Sequence, residues 1–177
     1  MTQAEFREIQ QRRVARIAVS PSAARNQGAS GVVEAAQEFL GAVNLQRFSQ
    51  SGEAGFPDAL EEATEELRQG LPAKARSWGL PRKLLNIFLR DILYNSFLCG
   101  PSGLEAVVGS LEVPLDSVTA DRIKANLPPR TLPTWPGVKN LKPGLSQRFQ
   151  TAARVIATAR GVEPVHLDAI WWGAREL

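Results

Sequence analysis

Residues 81–98 read PRKLLNIFLRDILYNSFL. Pro81 suits the first position of a helix, where its missing N–H has no partner to lose. From Lys83 onward apolar side chains fall on every side of a helical projection, the pattern of a buried helix. Arg90 and Asp91 interrupt the run, which also falls short of the ~20 apolar residues that cross a bilayer. The stretch predicts a long helix, apolar all round, at the centre of a globular domain.

Upstream, DALEEATEELRQG predicts an acidic helix that Pro57 opens and Gly70 closes, with its charges in solvent. SQSGEAGF before it reads as a loop. Residues 30–43 form an amphipathic helix with Val33, Ala36, Phe39 and Leu40 on one face. SPSAARNQGASG is a second loop, and residues 2–18 give a first helix, opened by Thr2 with Glu5 completing a capping box.

Downstream, CGPSG breaks the chain and a short helix is expected near 103–110. LEVPLDS runs extended, because Pro114 disfavours helix at Val113, and Asp116 caps a helix over 117–126. NLPPRTLPTWPGVKNLKPG is a long proline- and glycine-rich loop, a length that in compact domains often carries function. Helices over 145–160 and 166–176 end the chain. With no strand pattern and no repeat, the expected fold class is all-α, with about eight or nine helices. One domain is expected, divided into an N-terminal helical lobe (1–79) and a second part (80–177).

The one cysteine, Cys99, and the one histidine, His166, exclude a disulfide framework and a Cys/His zinc site. The N-terminal stretch alternates charged and apolar residues without the apolar core of a secretory signal. An intracellular, cytoplasmic protein without a membrane association is expected. The net charge of +3 hides an asymmetry. Residues 27–70 hold two arginines against eight acids, a balance of −6, while residues 71–162 hold thirteen Lys or Arg against five acids, a balance of +8. The basic half is the one suited to a polyanion such as DNA, and Trp135, Lys139 and Lys142 make the long loop a candidate contact.

Two stretches carry a resemblance. LEVPLDSVTADRI, Leu111 to Ile123, resembles the region of helix-hairpin-helix DNA glycosylases in which a proline-containing turn delivers an aspartate to the start of a helix; Asp116 takes that place. Lys83 opens KLLNIFLRDILYN 33 residues before Asp116. That separation resembles the archaeal 8-oxoguanine DNA glycosylase branch of the superfamily, whose catalytic lysine opens a long apolar helix. HLDAIWW supplies Asp168 and Trp172, four residues apart, like the aspartate and tryptophan with which that branch binds the base. The likeness covers roughly residues 80–177. The family's aromatic lies one turn after the lysine; Ile87 stands at that offset here, and Phe88, one further, is assigned the stacking role. The superfamily's LPGVG-type hairpin is not found before Asp116, and the nearest string, WPGVK at 135–139, follows it.

The resemblance implies a compact helical glycosylase fold and a base-excising enzyme acting on DNA with a flipped base, as a monomer and without a cofactor or metal. Lys83 would attack the sugar and form a Schiff base that supports AP lyase activity. Asp116 would hold the lysine and stabilise the positive sugar, and Asp168, Trp172 and Phe88 would read the base. Arg82, Lys124, Arg130, Lys139 and Lys142 are the candidate phosphate contacts. The substrate implied is 8-oxoguanine. Only five lysines in an arginine-rich chain depart from the Lys/Glu enrichment of hyperthermophiles, so a hypermodified base of phage DNA, and with it antiviral defence, is the second substrate expectation. Each residue also has a local explanation: Lys83 as a solvated cation, Asp116 as a plain helix cap, Trp171 and Trp172 as core, His166 as a loop or capping residue. The competing functions are a non-catalytic helical DNA-binding module and a protein-interaction domain using the acidic 53–66 segment.

Overall fold

The structure, a computed structural model, describes residues 1–24 and 30–173. Part of the predicted loop, 25–29, and the predicted end of the last helix, 174–176, lie outside the described residues. The elements are α1 (Gln3–Ala18), α2 (Val32–Ala42), α3 (Gly52–Gly70), α4 (Gly79–Leu93), α5 (Cys99–Ser102), α6 (Ser117–Ala125), α7 (Pro143–Arg160) and α8 (His166–Gly173), joined by short 3-10 turns. No strand occurs among the described residues, so the fold is all-α.

The expectation of a central helix apolar all round is overturned. No helix of the described residues is long and apolar enough to cross a membrane. α4 instead has two faces: Leu80, Leu84, Leu85, Phe88, Leu89 and Ile92 are buried in the core, while Lys83, Ile87, Arg90, Asp91 and Tyr94 line an open cleft. Positions 83, 87, 90, 91 and 94 are spaced to share one helical stripe. The narrower fold expectation, which leaned on a uniformly apolar helix, falls with it.

Two other boundaries move for physical reasons. Pro57 lies inside α3, which begins at Gly52; the carbonyl its missing N–H would have met, that of Glu53, lies 3.5 Å from the Ser110 hydroxyl instead. Pro81 is likewise the third residue of α4. Near 103–110 the chain forms 3-10 turns over Leu104–Ser110, broken at Val107, in place of an α-helix. The expected caps form: Thr2 and Glu5 make the capping box of α1, and the Asp116 carboxylate accepts the Thr119 N–H at 3.0 Å to start α6.

Among the described residues the buried apolar side chains form two clusters. The first joins α1 to α4 with Leu98, Leu104, Val107 and Leu111; the second joins Val113, Leu115, Leu141 and the inner faces of α6, α7 and α8. Glu112, between them in sequence, accepts two hydrogen bonds from the buried Arg82 (2.9 and 2.8 Å) and one from Asn86 (2.9 Å). Gln150 of α7 grips the next residue, accepting from the Val113 N–H and donating to its carbonyl. The 111–116 segment is thereby tied to α4 on one side and α7 on the other.

Candidate active site

The cleft measures about 860 Å³, within the range of small-molecule sites. Its walls come from the end of α1 and the turn after it, from α4, from 114–118, from the WPGVK loop and from α8. Lys83, Asp116, Asp168 and Trp172, chosen from separate parts of the sequence, all line it.

The Lys83 ammonium lies 3.8 Å from the Asp116 carboxylate and donates to the Ala23 carbonyl at 3.2 Å. Its side chain is 12% exposed and that of Asp116 27%, so the pair sits below the rim and still meets solvent. Asp116 serves two neighbours, with one carboxylate oxygen on the Thr119 N–H and the other facing the lysine. Capping and chemistry are compatible in one side chain.

Asp168, on α8, is buried at the cleft wall and pairs with the Arg90 guanidinium, which also donates twice to Asp91 at 2.9 and 2.7 Å. Burial pushes the Asp168 carboxyl above the ordinary aspartate value; Arg90 opposes this in part and the nearby Asp116 charge adds to it. Burial raises Asp91 in the same way, again against Arg90. Tyr94 places its hydroxyl 2.8 Å from His166 Nδ1 with the two rings stacked, which fastens the start of α8 to the end of α4. Trp171 turns into the second core cluster, whereas Trp172 is 52% exposed and faces the cleft. Core packing therefore accounts for the first tryptophan and not the second.

Two sequence assignments are corrected. Phe88 is fully buried in the first core cluster on the far side of α4. It cannot stack on a ligand, and the residue one turn from Lys83 that lines the cleft is Ile87. Arg82 is not available to phosphate: besides Glu112 it donates to Glu61 at 3.2 Å and Thr64 at 3.1 Å, and its guanidinium lies 5.3 Å from the Trp78 ring centroid. Glu61 of the acidic helix α3 thus stays half exposed while pairing with Arg82, so the helix does not leave all its carboxylates free in solvent.

Of the other basic candidates, Lys139 is exposed and lines the cleft, Arg130 and Lys142 are exposed outside it, and Lys124 is half-buried on α6. The WPGVK loop reaches the cleft because Gly79 lets it: a Cβ there would lie 2.2 Å from the Val138 carbonyl. Trp135, in the same loop, stacks edge-on to Phe149 at 5.3 Å and faces the cleft. Arg90, Asp91 and Tyr94 were missed as site residues, although their spacing from Lys83 along one helical stripe was a readable signal.

Among the described residues no cluster of His, Cys, Asp and Glu could hold a metal ion. No protein-family model, curated protein or solved structure matches the chain, so the cleft has to be interpreted from its own chemistry.

Proposed function

We propose that this chain is a DNA glycosylase with an associated lyase activity, in which Lys83 is the nucleophile. The observation that carries this reading is the approach of Lys83 to Asp116 inside a cleft that Asp168 and Trp172 also line.

In the proposed reaction a base flipped from the duplex enters the cleft, stacks against Trp172 and is hydrogen-bonded by Asp168. Once its ammonium has given up a proton to water, the Lys83 amine forms a bond to the sugar C1′ as the glycosidic C–N bond breaks. That bond's electron pair leaves with the base, which takes up a proton. The new C1′–N adduct loses a proton from nitrogen, and its C1′–O4′ bond opens with protonation of O4′ to give a protonated Schiff base. Loss of a C2′ proton then expels the 3′ phosphate. Asp116 holds the amine toward C1′ and, as an anion, favours the positive charge that develops on the sugar. Lys139, Lys142 and Arg130 are assigned to the phosphates. The resemblance favours 8-oxoguanine as the base, with a hypermodified phage base as the alternative.

The test is borohydride trapping on duplexes carrying 8-oxoguanine, other modified bases or an abasic site. A covalent protein–DNA adduct that is lost in Lys83→Ala is expected. Base release without any adduct would transfer the chemistry to water activated by Asp116. Salt-sensitive binding with no release would reduce the chain to a DNA-binding module.

A further inference from the structure

Helix α1 carries features that the cleft chemistry does not use. Ile17 is 63% exposed and also lines the cleft, on the lip formed with Ala23, whose carbonyl holds Lys83. Arg13 lies four residues before it on the same helical stripe, and Arg16 is its neighbour. Both arginines are exposed. Arg12, beside them, approaches Glu8 at 3.9 Å, with both side chains about two-thirds exposed. Beyond Glu8 the helix has three arginines and no acid. The negative end of the helix favours Arg16 locally, but it explains neither Arg13 nor a large apolar side chain left in solvent at the edge of a cleft. Lys139, exposed, also lines the cleft.

We infer that the end of α1 is the DNA-facing edge of the cleft, with Ile17 the wedge that enters the base stack and Arg13 and Arg16 the contacts to the phosphates beside it. This rests on the reading of the cleft as a base-flipping site. A flipped base leaves a gap in which its neighbours lose their stacking partner, and an apolar side chain inserted between base steps recovers part of that loss. Isoleucine is suited to this because its branched Cβ leaves it few rotamers to lose. The arginines select an anionic partner over a symmetric pairing of two copies through this edge, where the two arginine rows would repel. Ile9, the other exposed apolar residue on this stripe, lies two turns away and does not line the cleft.

The test uses a duplex with 2-aminopurine opposite an abasic site, whose emission rises when the fluorescent base loses its stacking neighbours. Wild-type protein is expected to raise the emission. Ile17→Ser, an exposed substitution that keeps α1, is expected to need about tenfold more protein for the same rise, the effect of roughly 1.4 kcal/mol of lost apolar contact. Arg13→Ala/Arg16→Ala is expected to lower the log–log salt slope of binding by about two, one per phosphate. An emission rise unchanged by Ile17→Ser, or no rise with wild-type protein, overturns the wedge. A salt slope unchanged in the double variant overturns the phosphate contacts. The proposed chemistry is judged separately, on the same abasic duplex, by whether borohydride traps wild-type protein.

Discussion

Arg82 holds Glu112 in a two-pronged ion pair across 30 residues of sequence, one position before Lys83 and four before Asp116. The pair that would do chemistry is therefore spaced by one that does not. Arg82 is 8% exposed and has its hydrogen bonds supplied by Glu112, Glu61 and Thr64. Such a network is costly to break from one side, because the remaining charge is left buried.

Glu112→Leu should accordingly destabilise the fold by about 3 kcal/mol, while Arg82→Met/Glu112→Leu, which removes both charges, should recover most of that loss. Urea unfolding of the two variants measures it. If the double variant is no more stable than the single one, the network contributes more than pairing, and the account of how the 111–116 segment is held is wrong.

Asp116 caps α6 and has a proposed chemical role as well, and one substitution can separate the two. Asparagine caps a helix about as well as aspartate, so Asp116→Asn should leave the thermal midpoint close to wild type, whereas Asp116→Ala should lose about 1 kcal/mol with the Thr119 hydrogen bond. Both remove the anion beside Lys83 and should lower base excision by about 100-fold or more. Full activity in Asp116→Asn would leave this residue as a helix cap alone.

The caps were the most legible part of the sequence, because they depend on a few adjacent residues: Thr2 with Glu5, and Asp116 with the N–H three positions on. The face of α4 was misread for the opposite reason. A run such as KLLNIFLRDIL shows how apolar a helix is, but which side meets the core depends on what packs there; burial took Phe88 and left Ile87 to the cleft. Arg82 resembled a free cation because its partners, Glu61 and Glu112, are 21 and 30 residues away in opposite directions. Lys83, Asp116, Asp168 and Trp172 were chosen by resemblance, and their meeting in one cleft was not legible from local pattern at all.

Phe88 and Trp172 should behave as opposites. Phe88→Ala removes a fully buried ring and should cost about 3–5 kcal/mol of stability. Trp172→Ala, at an exposed position on the cleft wall, should change the thermal midpoint little and weaken binding of a flipped base. A melting curve and a base-release assay below the transition distinguish them. A large loss of stability in Trp172→Ala would return that residue to the core.

Gly79 is required by contact, not by backbone conformation. Gly79→Ala drives a methyl into the Val138 carbonyl and Leu141, which should cost about 1–3 kcal/mol and displace the loop that brings Trp135 and Lys139 to the cleft. Gly70→Ala, near the end of α3 with nothing within 4 Å of the added carbon, should instead stabilise by up to ~1 kcal/mol. The two melting curves should shift in opposite directions, and a neutral Gly79→Ala would mean that the loop does not rest on α4.

The Asp168 carboxyl gives a pH dependence whose sign is fixed by burial. Its folded pKa is raised above the ordinary 3.8, burial outweighing the Arg90 charge. The folded protein therefore binds this proton more tightly than the unfolded chain. The resulting stabilisation is complete below the ordinary value and is lost as pH rises through the folded one. Asp168→Asn has no such proton, and Asp91, raised in the same direction, is present in both proteins and cancels to first order. The stability of wild type minus that of Asp168→Asn should therefore fall as pH is raised from about 4, then level off above the folded value. Urea midpoints across that range measure it. A difference that grows with pH would mean that the Arg90 pair lowers the Asp168 pKa, leaving the carboxylate anion stabilised by the fold instead of penalised by burial.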